Sequence, residues 1–430
     1  MRHYRDNGRV IRARSNVAEP SPHTRKRQRS LLRGRARPRL ALVTPWPPEE
    51  SGIADYSFRL VRELASGVEV DVVVSGPLAG FPVPTPPGVR LITAKDYRAA
   101  AWRRRRDRVL YCMGNSRFHE HVYELLRARP GPVVLHDAQL TGFFGYYAGR
   151  ESPQDPLAAL VRRVERCYGK HVPRQELETA PLSSQRRIEL GIWMTGEIQQ
   201  HAERIFVHSL LAQEVVERDA GLLGLSVPVS LMPFGMPDPG AAPARSAVAA
   251  APLIVHMGVV SEVKGIALLI EAFALFATAH PGARLVIAGS ADESGLGLWE
   301  GFARERAPQA RVEILGHLDP ARYEELLAQA DVAVQLRNIS NGEASGAVCD
   351  CLAAGIPTIV SDLGWMGELP ASAVVRVPVD AEPAQLATQI RALVEDVRRR
   401  AALSAGAMAH ARANSFERVA AAYADVLALA

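Results

Sequence analysis

From residue 39 onward, short apolar runs rich in β-branched residues alternate with longer amphipathic stretches. Apolar runs of four or five residues without polar alternation are typical of parallel strands buried on both faces, and the longer stretches have the helical period. A long helical region is predicted at about 157–203. In this first part of the chain, the pattern predicts strands at 40–44, 70–74, 89–92, 109–113, 133–136, 205–208 and 229–232.

The alternation stops at residues 238–252, where the sequence DPGAAPARSAVAAAP is Pro-rich and made mostly of small residues. Such a segment is typical of a linker between domains. The chain is therefore predicted to be α/β, with two doubly wound halves joined by a hinge. Ligands bind beyond the carboxyl ends of the strands in such sheets, so a cleft between the halves is the expected site. After the linker, strands are predicted at 253–257, 284–288, 312–315, 332–336, 358–360 and 374–377.

Apolar residues make up 48% of the 430 residues and charged residues 23%. This balance is typical of a globular protein rather than of a disordered chain. The most apolar window, 266–279, is interrupted by Glu271 and is shorter than the ~18 apolar residues that a membrane-spanning helix needs. We therefore expect a buried helix there and exclude an integral membrane protein.

The formal charge of +5 is distributed unevenly. Residues 1–39 contain 13 Lys and Arg against 2 Asp and Glu, which leaves 38 basic and 44 acidic residues in the rest of the chain. A specific nucleic-acid-binding protein is expected to carry positive charge on its folded body, so that class is not favoured. Residues 1–38 show almost no apolar periodicity and are predicted to be a disordered basic tail. The tail is either simply solvated or an anchor for anionic lipid or nucleic acid.

The four cysteines form no CxxC pair and have no zinc-finger spacing to histidine. Reduced, buried thiols are typical of a cytoplasmic protein. The N-terminus also lacks the apolar core of a secretory signal. A cytoplasmic location is therefore expected.

The richest loop of the second half follows the predicted strand 332–336. A helix is predicted to begin at about Ser345, and the free N–H groups around Ala344, Ser345 and Gly346, together with the helix dipole, are predicted to bind an anion. Glu343 is then placed to accept hydrogen bonds from sugar hydroxyls. The alternative is an ordinary helix start with Ser345 as its N-cap.

Lys264 follows the predicted strand 253–257 and precedes the helix that begins at about 266. An ammonium group at such a crossing can pair with phosphate as a point charge. The alternative is a solvated surface lysine. The functional interpretation depends on Lys264 sharing a face with the Glu343 loop.

Three positions of the first half are candidates of the same kind. Gly52 lies between the first strand and the first helix, where it permits close approach to a ligand. His136 closes the strand 133–136, and His119 follows the strand 109–113. Each histidine alone is compatible with a structural role, but two at neighbouring strand ends favour a functional site.

Taken together, these loops resemble the retaining GT-B glycosyltransferases of family four, among the glycosyl transferases of group one. The resemblance covers about residues 39–430 and is strongest in the second half. Its elements are Gly258-x5-Lys264-Gly265, Leu315-Gly-His, Ala330-Asp-Val, Gly342-Glu-Ala-Ser-Gly346, Ala354-Gly-Ile-Pro357 and the ending Ser415-Phe-Glu-Arg-Val with Tyr423.

The resemblance implies two Rossmann-like domains facing across a cleft, with an N-terminal acceptor-binding domain at 39–237 and a C-terminal donor-binding domain at 253–412. It also implies a last helix, 413–430, that packs back on the N-terminal domain. The implied reaction is metal-independent transfer, with retention at the anomeric carbon, of a hexose from a UDP-, GDP- or ADP-sugar. The acceptor would be a hydroxyl of a glycan, a lipid-linked glycan or a small molecule in polysaccharide or glycoconjugate biosynthesis.

The sequence departs from the family pattern in two ways. Val259 stands where the family commonly has Arg, and the paired glutamates seven residues apart are replaced by Glu343 and Asp350. The sequence Gly-Glu-Ala-Ser-Gly is similar to that of a branch of the family in which this Glu takes over the role of the first paired glutamate. In that branch Arg stands at the position of Arg337.

The roles that follow from the resemblance are catalysis by Glu343 and His136, and donor binding by a larger set. No metal ligand is expected, because the chain contains no Asp-x-Asp pair, and no cofactor is expected beside the nucleotide sugar, which is a substrate. The donor-binding set is Lys264, Arg337, Ala344, Ser345, Gly346, Asp350, Gly52 and His119.

Two alternatives stay open. A sugar-nucleotide epimerase of the same fold would need acid–base carboxylates in the first domain, where Asp55 and Asp137 are the candidates. A non-catalytic module that binds carbohydrate, or an anionic membrane surface through the tail, is the alternative from another class.

Overall fold

The computed structural model describes residues 37–82, 84–100, 108–172, 183–240, 251–291 and 293–429. Contacts divide the chain into two units, 1–37 and 38–430, and the second unit carries both sheets. Most of the predicted tail, and residues 241–250 of the predicted linker, lie outside the described residues.

The described residues form two parallel sheets, one of seven strands and one of six. Every predicted apolar run contains a strand, so the prediction of a doubly wound α/β chain is confirmed. The strands of the first sheet are β1 (Arg39–Val43), β2 (Glu69–Val74), β3 (Val89–Thr93), β4 (Arg108–Met113), β5 (Gly131–Leu135), β6 (Ala202–Val207) and β7 (Val229–Leu231). Those of the second are β8 (Leu253–Met257), β9 (Arg284–Ala288), β10 (Arg311–Ile314), β11 (Val332–Gln335), β12 (Thr358–Ser361) and β13 (Val374–Val377).

The first sheet is buried on both faces. Along β1, Leu40 and Leu42 belong to one core cluster, whereas Ala41 and Val43 belong to the cluster on the opposite face. All four residues are at most 1% exposed. This two-sided burial explains why the strand is apolar throughout instead of alternating with polar residues.

Each sheet has a point where the order of strands reverses. The first sheet has the order β3-β2-β1-β4-β5-β6-β7, and the second has the order β10-β9-β8-β11-β12-β13. The reversals therefore lie between β1 and β4 and between β8 and β11. Loops that leave the carboxyl ends of such strand pairs diverge and open a crevice for ligand.

Helices connect the strands, and several begin after a residue whose side-chain oxygen accepts a first-turn N–H, as Ser51, Ser209 and Asp319 do. In chain order the helices are α1 (Gly52–Leu64), α2 (Ala94–Ala100), α3 (Glu120–Ala128), α4 (Thr141–Glu151), α5 (Pro156–Tyr168), α6 (Ser184–Glu189), α7 (Gly196–Gln199), α8 (Leu210–Leu223), α9 (Ile266–Ala277), α10 (Glu293–Arg306), α11 (Pro320–Gln329), α12 (Gly346–Ala353), α13 (Gly364–Glu368), α14 (Pro383–Glu395), α15 (Val397–Ala413) and α16 (Phe416–Val426).

The predicted helical region at about 157–203 is only partly helical where the structure describes it, and residues 173–182 lie outside the described residues. Helix α5 ends at Gly169, whose positive φ of 51° favours glycine, and Gly191 has a φ of 70°. Between α6 and α7 the backbone leaves the helical path, and the Tyr168 hydroxyl accepts the N–H groups of Trp193 and Met194. A side chain from α5 thus satisfies backbone groups that a continuous helix would have satisfied itself.

The last helix, α16, packs against α1 of the first sheet. Phe416 and Tyr423 are buried in the same core cluster as Leu40 and Leu42 of β1. Met236 donates its N–H to Asn414 and accepts the N–H of Phe416, which fixes the point where the chain returns.

Two further properties of the described residues bear on the sequence analysis. No helix among them combines the length and apolar character that crossing a bilayer requires. Cys112, Cys167, Cys349 and Cys351 are all buried free thiols.

Candidate active site

Two loops lie side by side at the carboxyl edge of the second sheet, one after β8 and one after β11. Gly265 ends the first loop with φ +63°, and a Cβ placed there would lie only 2.9 Å from the Cβ of Leu336 in the second. Glycine is needed at this close approach. The packing puts Lys264 and Arg337 on neighbouring loops at the same edge of the sheet.

Lys264 and Arg337 are two cations held largely out of water. Burial, and then the nearby positive charge of Arg337, lower the pKa of Lys264 from its ordinary 10.5 to about 7, while Asp137 acts in the opposite direction. Burial likewise lowers the pKa of Arg337 to about 10, again opposed by Asp137. For Lys264 the shift means that the protein compensates its charge poorly, so an incoming anion would stabilise the ammonium, whereas Arg337 already has Glu343 as its partner.

Glu343 is held within its own loop. It forms an ion pair with Arg337, and the two side chains are only 10% and 14% exposed. The other carboxylate oxygen accepts the N–H of Asn341 over 2.6 Å and the hydroxyl of Ser340 over 3.4 Å. These contacts fix the Glu343 carboxylate beside the guanidinium.

Helix α12 begins after this loop and is capped by Ser345. The Ser345 hydroxyl accepts the N–H of Val348 over 3.4 Å, as the alternative of an ordinary N-cap requires. Glu343 does not cap the helix, because its partners Arg337, Ser340 and Asn341 all lie in the preceding loop. At Gly346 an added Cβ would meet nothing within 4 Å, so the helix start faces open space there. The backbone at Gly346 is thus open to a ligand, whereas Ala344 packs partly against a neighbouring core cluster.

In the first half, three candidate loops converge on Gly114, which follows β4. A Cβ at Gly114 would lie 2.3 Å from Ile53, 2.8 Å from an Asp137 carboxylate oxygen and 3.1 Å from the His119 ring. Only glycine leaves room for all three. Gly52, next to Ile53, has open space where its Cβ would be, so nothing in the described chain requires glycine at 52.

The loop after β5 contacts the Glu343 loop directly. The N–H groups of Ala138 and Gln139 donate to the carbonyl of Asn341 over 2.7 and 2.9 Å. Gly342 lies at φ +78°, and a Cβ there would come within 2.6 Å of the Ala138 Cβ. The two halves of the chain therefore meet at the residues that precede Glu343.

Asp137 is a site residue that the sequence analysis considered only for the epimerase alternative. Its carboxylate accepts the N–H of Asn115 over 2.8 Å. Burial raises the pKa of Asp137, while the Asn115 hydrogen bond and the charges of Arg337 and Lys264 lower it. The signal in the sequence was its position directly after His136, at the end of a buried strand.

His136 and His119 are both buried beside this contact. The Nδ1 atom of His136 lies 3.2 Å from the Nε2 atom of His208, and the Nδ1 atom of His119 lies 3.1 Å from the Ser116 hydroxyl. Burial lowers the pKa of His119 to about 3 and that of His136 well below 6.5, so both are neutral. In each ring the Nε2 atom has no hydrogen-bond partner among the described residues.

Asp350, which the resemblance assigns to the donor ribose, has protein partners on both oxygens. Arg59 of α1 donates to one over 2.9 Å, and the Tyr323 hydroxyl donates to the other over 3.0 Å. Helix α12 thus carries Asp350 to a contact with α1. The structure brings Lys264, Arg337 and Glu343 together and places Asp350 in a separate network.

Among the described residues, no group of three or more His, Cys, Asp or Glu side chains is arranged to hold a metal ion.

The fold is shared with solved structures of sugar-transferring enzymes. HepE of Anabaena, solved with UDP and glucose, is 15% identical over 91% of this chain and 100% of its own, with a TM-score of 0.59. Sucrose-phosphate synthase of Thermosynechococcus elongatus is 19% identical over 91% of this chain and 98% of its own, with a TM-score of 0.64. The UDP-forming alpha,alpha-trehalose-phosphate synthase of Burkholderia xenovorans, solved with glucose-6-phosphate, is 11% identical over 91% of this chain and 100% of its own, with a TM-score of 0.57.

The two parallel sheets and the likeness to these structures show that the protein has the GT-B fold. Residues 244–409 match the family described as Glycosyl transferases group 1. Residues 244–409 therefore have the sequence features of that family, and the resemblance to group 1 glycosyl transferases is confirmed. None of the curated protein sequences matches this chain.

Proposed function

We propose that this protein is a retaining, metal-independent glycosyltransferase of family four that moves a sugar from a nucleoside diphosphate donor to an acceptor hydroxyl. The observation that carries the proposal is the pair of desolvated cations, Lys264 and Arg337, beside Glu343 at the strand-order reversal of the second sheet. This is the edge at which doubly wound sheets bind nucleotides.

Lys264 and Arg337 are assigned to the diphosphate of the donor. A departing nucleoside diphosphate carries growing negative charge, and preorganised cations and N–H groups stabilise that charge in the transition state. The backbone at Ala344, Ser345 and Gly346 adds N–H donors at the start of α12. With these groups present, the proposed reaction needs no divalent ion.

Glu343 and His136 are assigned to the donor sugar. The Glu343 carboxylate would stabilise positive charge that develops on the ring as the bond from the anomeric carbon to the phosphate oxygen breaks. The acceptor hydroxyl attacks from the same face, and its proton passes to the departing phosphate oxygen. This route retains the configuration and forms no bond to the protein.

The proposed domains follow the sequence analysis. Residues 39–237 would bind the acceptor, with Gly52 and His119 at the cleft, and residues 253–412 would bind the donor. Residues 413–430 would complete the first domain, in keeping with the packing of Phe416 and Tyr423. Residues 238–252 would be the linker between them.

UDP-glucose is the first donor to test. HepE has been solved with UDP and with UDP-glucose, and the trehalose-phosphate synthase is described as UDP-forming. Sucrose-phosphate and trehalose-phosphate synthases also suggest that small phosphorylated sugars belong on the acceptor panel, beside glycans and lipid-linked glycans.

The test is a donor screen with UDP-, GDP- and ADP-hexoses, in the presence of a chelator and with and without acceptors. We expect slow donor hydrolysis without acceptor, faster transfer with one, and a product whose anomeric configuration by NMR equals that of the donor. Inversion, or activity that disappears with chelator, would contradict the proposal. Lys264→Ala serves as the inactive control.

A sugar-nucleotide epimerase is the second candidate, and the observation that favours it is the buried Asp137 carboxyl with its raised pKa. A raised pKa makes this carboxylate a stronger proton acceptor than an ordinary aspartate, as acid–base chemistry on the donor would require. The same screen separates the two functions, because an epimerase that eliminates and re-adds the nucleotide converts the donor into an epimeric sugar nucleotide with no acceptor present.

We further propose that the protein works in the cytoplasm, in polysaccharide or glycoconjugate biosynthesis, and touches anionic membrane through its basic N-terminal segment. Membrane contact is supported by the charge of residues 1–39, which contain 13 basic and only 2 acidic residues. Specific nucleic-acid binding is not part of the proposal.

A further inference from the structure

Two imidazole rings contact each other at the end of the first sheet. His136 follows β5 and His208 follows β6, the neighbouring strand. Their ring centroids are 5.0 Å apart, and the Nε2 atom of His208 lies 3.2 Å from the Nδ1 atom of His136. The Tyr56 ring packs edge-on against His136 at 5.0 Å.

The partners of these rings determine where each proton lies. The Nδ1 atom of His208 is 2.9 Å from the carbonyl oxygen of Met232. A carbonyl only accepts, so His208 carries its hydrogen on Nδ1. Burial lowers the pKa of His208 to about 4, so near neutral pH the ring holds only that one proton and its Nε2 is bare.

A bare nitrogen on His208 requires a donor opposite. His136 must therefore carry its own hydrogen on Nδ1, which leaves its Nε2 atom as an unprotonated acceptor. That Nε2 atom is buried and has no partner among the described residues. A buried acceptor without a partner lowers stability, and such groups concentrate at sites that bind a ligand.

His136 belongs to the strand end that also carries residues close to the groups assigned to the donor. His136 is followed by Asp137, whose carboxylate interacts with Lys264 and Arg337. The backbone at 138 and 139 contacts the loop that holds Glu343. A sugar bound against Glu343 would therefore lie beside the loop that follows His136.

We propose that His208 is a positioning residue: it fixes His136 in the Nδ1–H form so that the His136 Nε2 atom accepts a hydrogen bond from a sugar hydroxyl. This inference rests on the proposed glycosyl transfer. His208 itself touches no substrate and acts only through His136.

The first test needs no activity. In the ligand-free protein, imidazole nitrogen–proton NMR correlations at neutral pH should show both rings with the hydrogen on Nδ1. His208→Phe keeps a buried planar ring but removes the acceptor, so His136 should lose its single protonated form. His121→Phe is the matched control, because His121 is buried and contacts the Thr44 carbonyl over 3.2 Å, and His136 should be unchanged in it.

The second test uses rescue. In His208→Gln the side-chain oxygen can still accept from His136 while the amide donates to Met232, so kcat/KM for the donor should stay within about threefold of wild type. In His208→Phe it should fall about tenfold or more, the value of one hydrogen bond. Binding of the free nucleoside diphosphate, which lacks the sugar, should be unchanged in both variants.

Three results would overturn the inference. These are a hydrogen on Nε2 of His136 in the wild type, an unchanged His136 in His208→Phe, or an altered His136 with unchanged kinetics. A wild-type protein that has the expected proton positions but transfers no sugar in the donor screen would instead reject the proposed function. The two failures are therefore distinguishable.

Discussion

Arg59 on α1 pairs with Asp350 on α12, with 2.9 Å between the guanidinium nitrogen and the carboxylate oxygen. The two residues come from opposite halves of the chain, 291 positions apart. The other Asp350 oxygen accepts the Tyr323 hydroxyl. Since the resemblance assigns position 350 to the donor ribose, nucleotide binding and the contact between the halves would share one carboxylate.

Asp350→Asn should raise KM for the donor about tenfold and leave kcat within about twofold. A ribose contact is made equally in the ground state and the transition state, so its loss weakens binding without slowing the chemical step. Steady-state kinetics with the best donor measure both constants. The inhibition constant of the free nucleoside diphosphate should rise by the same factor.

Arg59→Ala is the matched control for that prediction. It removes the partner of Asp350 but keeps the carboxylate, so KM for the donor should not rise. The Arg59 side chain is 42% exposed, and such pairs contribute only about 0–1 kcal/mol to stability. An unchanged KM in Asp350→Asn would remove Asp350 from the nucleotide site.

Lys264→Met should raise the melting temperature near pH 8 while it removes most transfer activity. The pKa of Lys264 is lowered from 10.5 to about 7 in the folded protein, so between these values the unfolded chain binds the proton more tightly. The lysine therefore opposes folding below about pH 7, and this penalty fades as pH rises to 10.5. A long apolar side chain fills the same space without the penalty.

Calorimetry and kinetics on one sample check the Lys264→Met prediction. Arg284→Met is a suitable control, because Arg284 pairs with Glu313 at the surface and lies outside the site. Near-normal transfer by Lys264→Met would show that the ammonium does not meet the diphosphate.

The pH profile should report the same lysine. As pH rises through about 7, Lys264 in the free protein loses its proton, so kcat/KM for the donor should fall on the basic side. Lys264→Arg keeps the positive charge to much higher pH, so the fall in kcat/KM should shift to higher pH even if the rate is lower. A limb that stays in place in Lys264→Arg belongs to another group.

The strands and the chemistry-bearing loops could be predicted because each is encoded locally. The runs that form β1 and β8 are mostly apolar, and Ser345 and Gly355 mark the beginning and the end of α12 within a few residues. The strands and helix ends are determined by residues close in the sequence, and the pattern of apolar and polar residues shows these directly.

What could not be predicted depends on residues distant in the chain. The Tyr168 hydroxyl satisfies backbone groups at 193 and 194, so no helix is needed there. The partner of Asp350 lies 291 positions away, and Asp137 gains its role from cations of the other half. The proton position on His136 is set by the Met232 carbonyl through His208.

Deleting residues 1–36 should leave turnover of a soluble acceptor within about twofold. The first sheet begins with β1, and the Pro38 carbonyl already accepts the N–H of Glu69 over 2.9 Å, so the cut preserves the described sheet. Binding to vesicles of anionic lipid should fall, whereas binding to neutral vesicles should be weak before and after the cut. Loss of helical circular dichroism would show that the segment is structural.

Glu343→Gln should lower both stability and kcat, and the structure explains why these two effects must be separated. The Glu343–Arg337 pair is nearly buried, and breaking such a pair costs about 3–5 kcal/mol because one charge is left alone. A lower melting temperature is thus expected whatever the residue does in catalysis. The melting temperature by itself cannot decide its role.

The decisive comparison for Glu343→Gln is therefore between kcat and nucleotide binding at a temperature where the variant is folded. If the carboxylate stabilises charge on the donor sugar, kcat should fall about 100-fold, the scale for losing one transition-state contact. The free nucleoside diphosphate lacks that sugar and should still raise the melting temperature of the variant. Glu313→Gln breaks a surface pair with Arg284 and controls for loss of one carboxylate. If kcat is normal once the variant is folded, Glu343 serves only to hold Arg337.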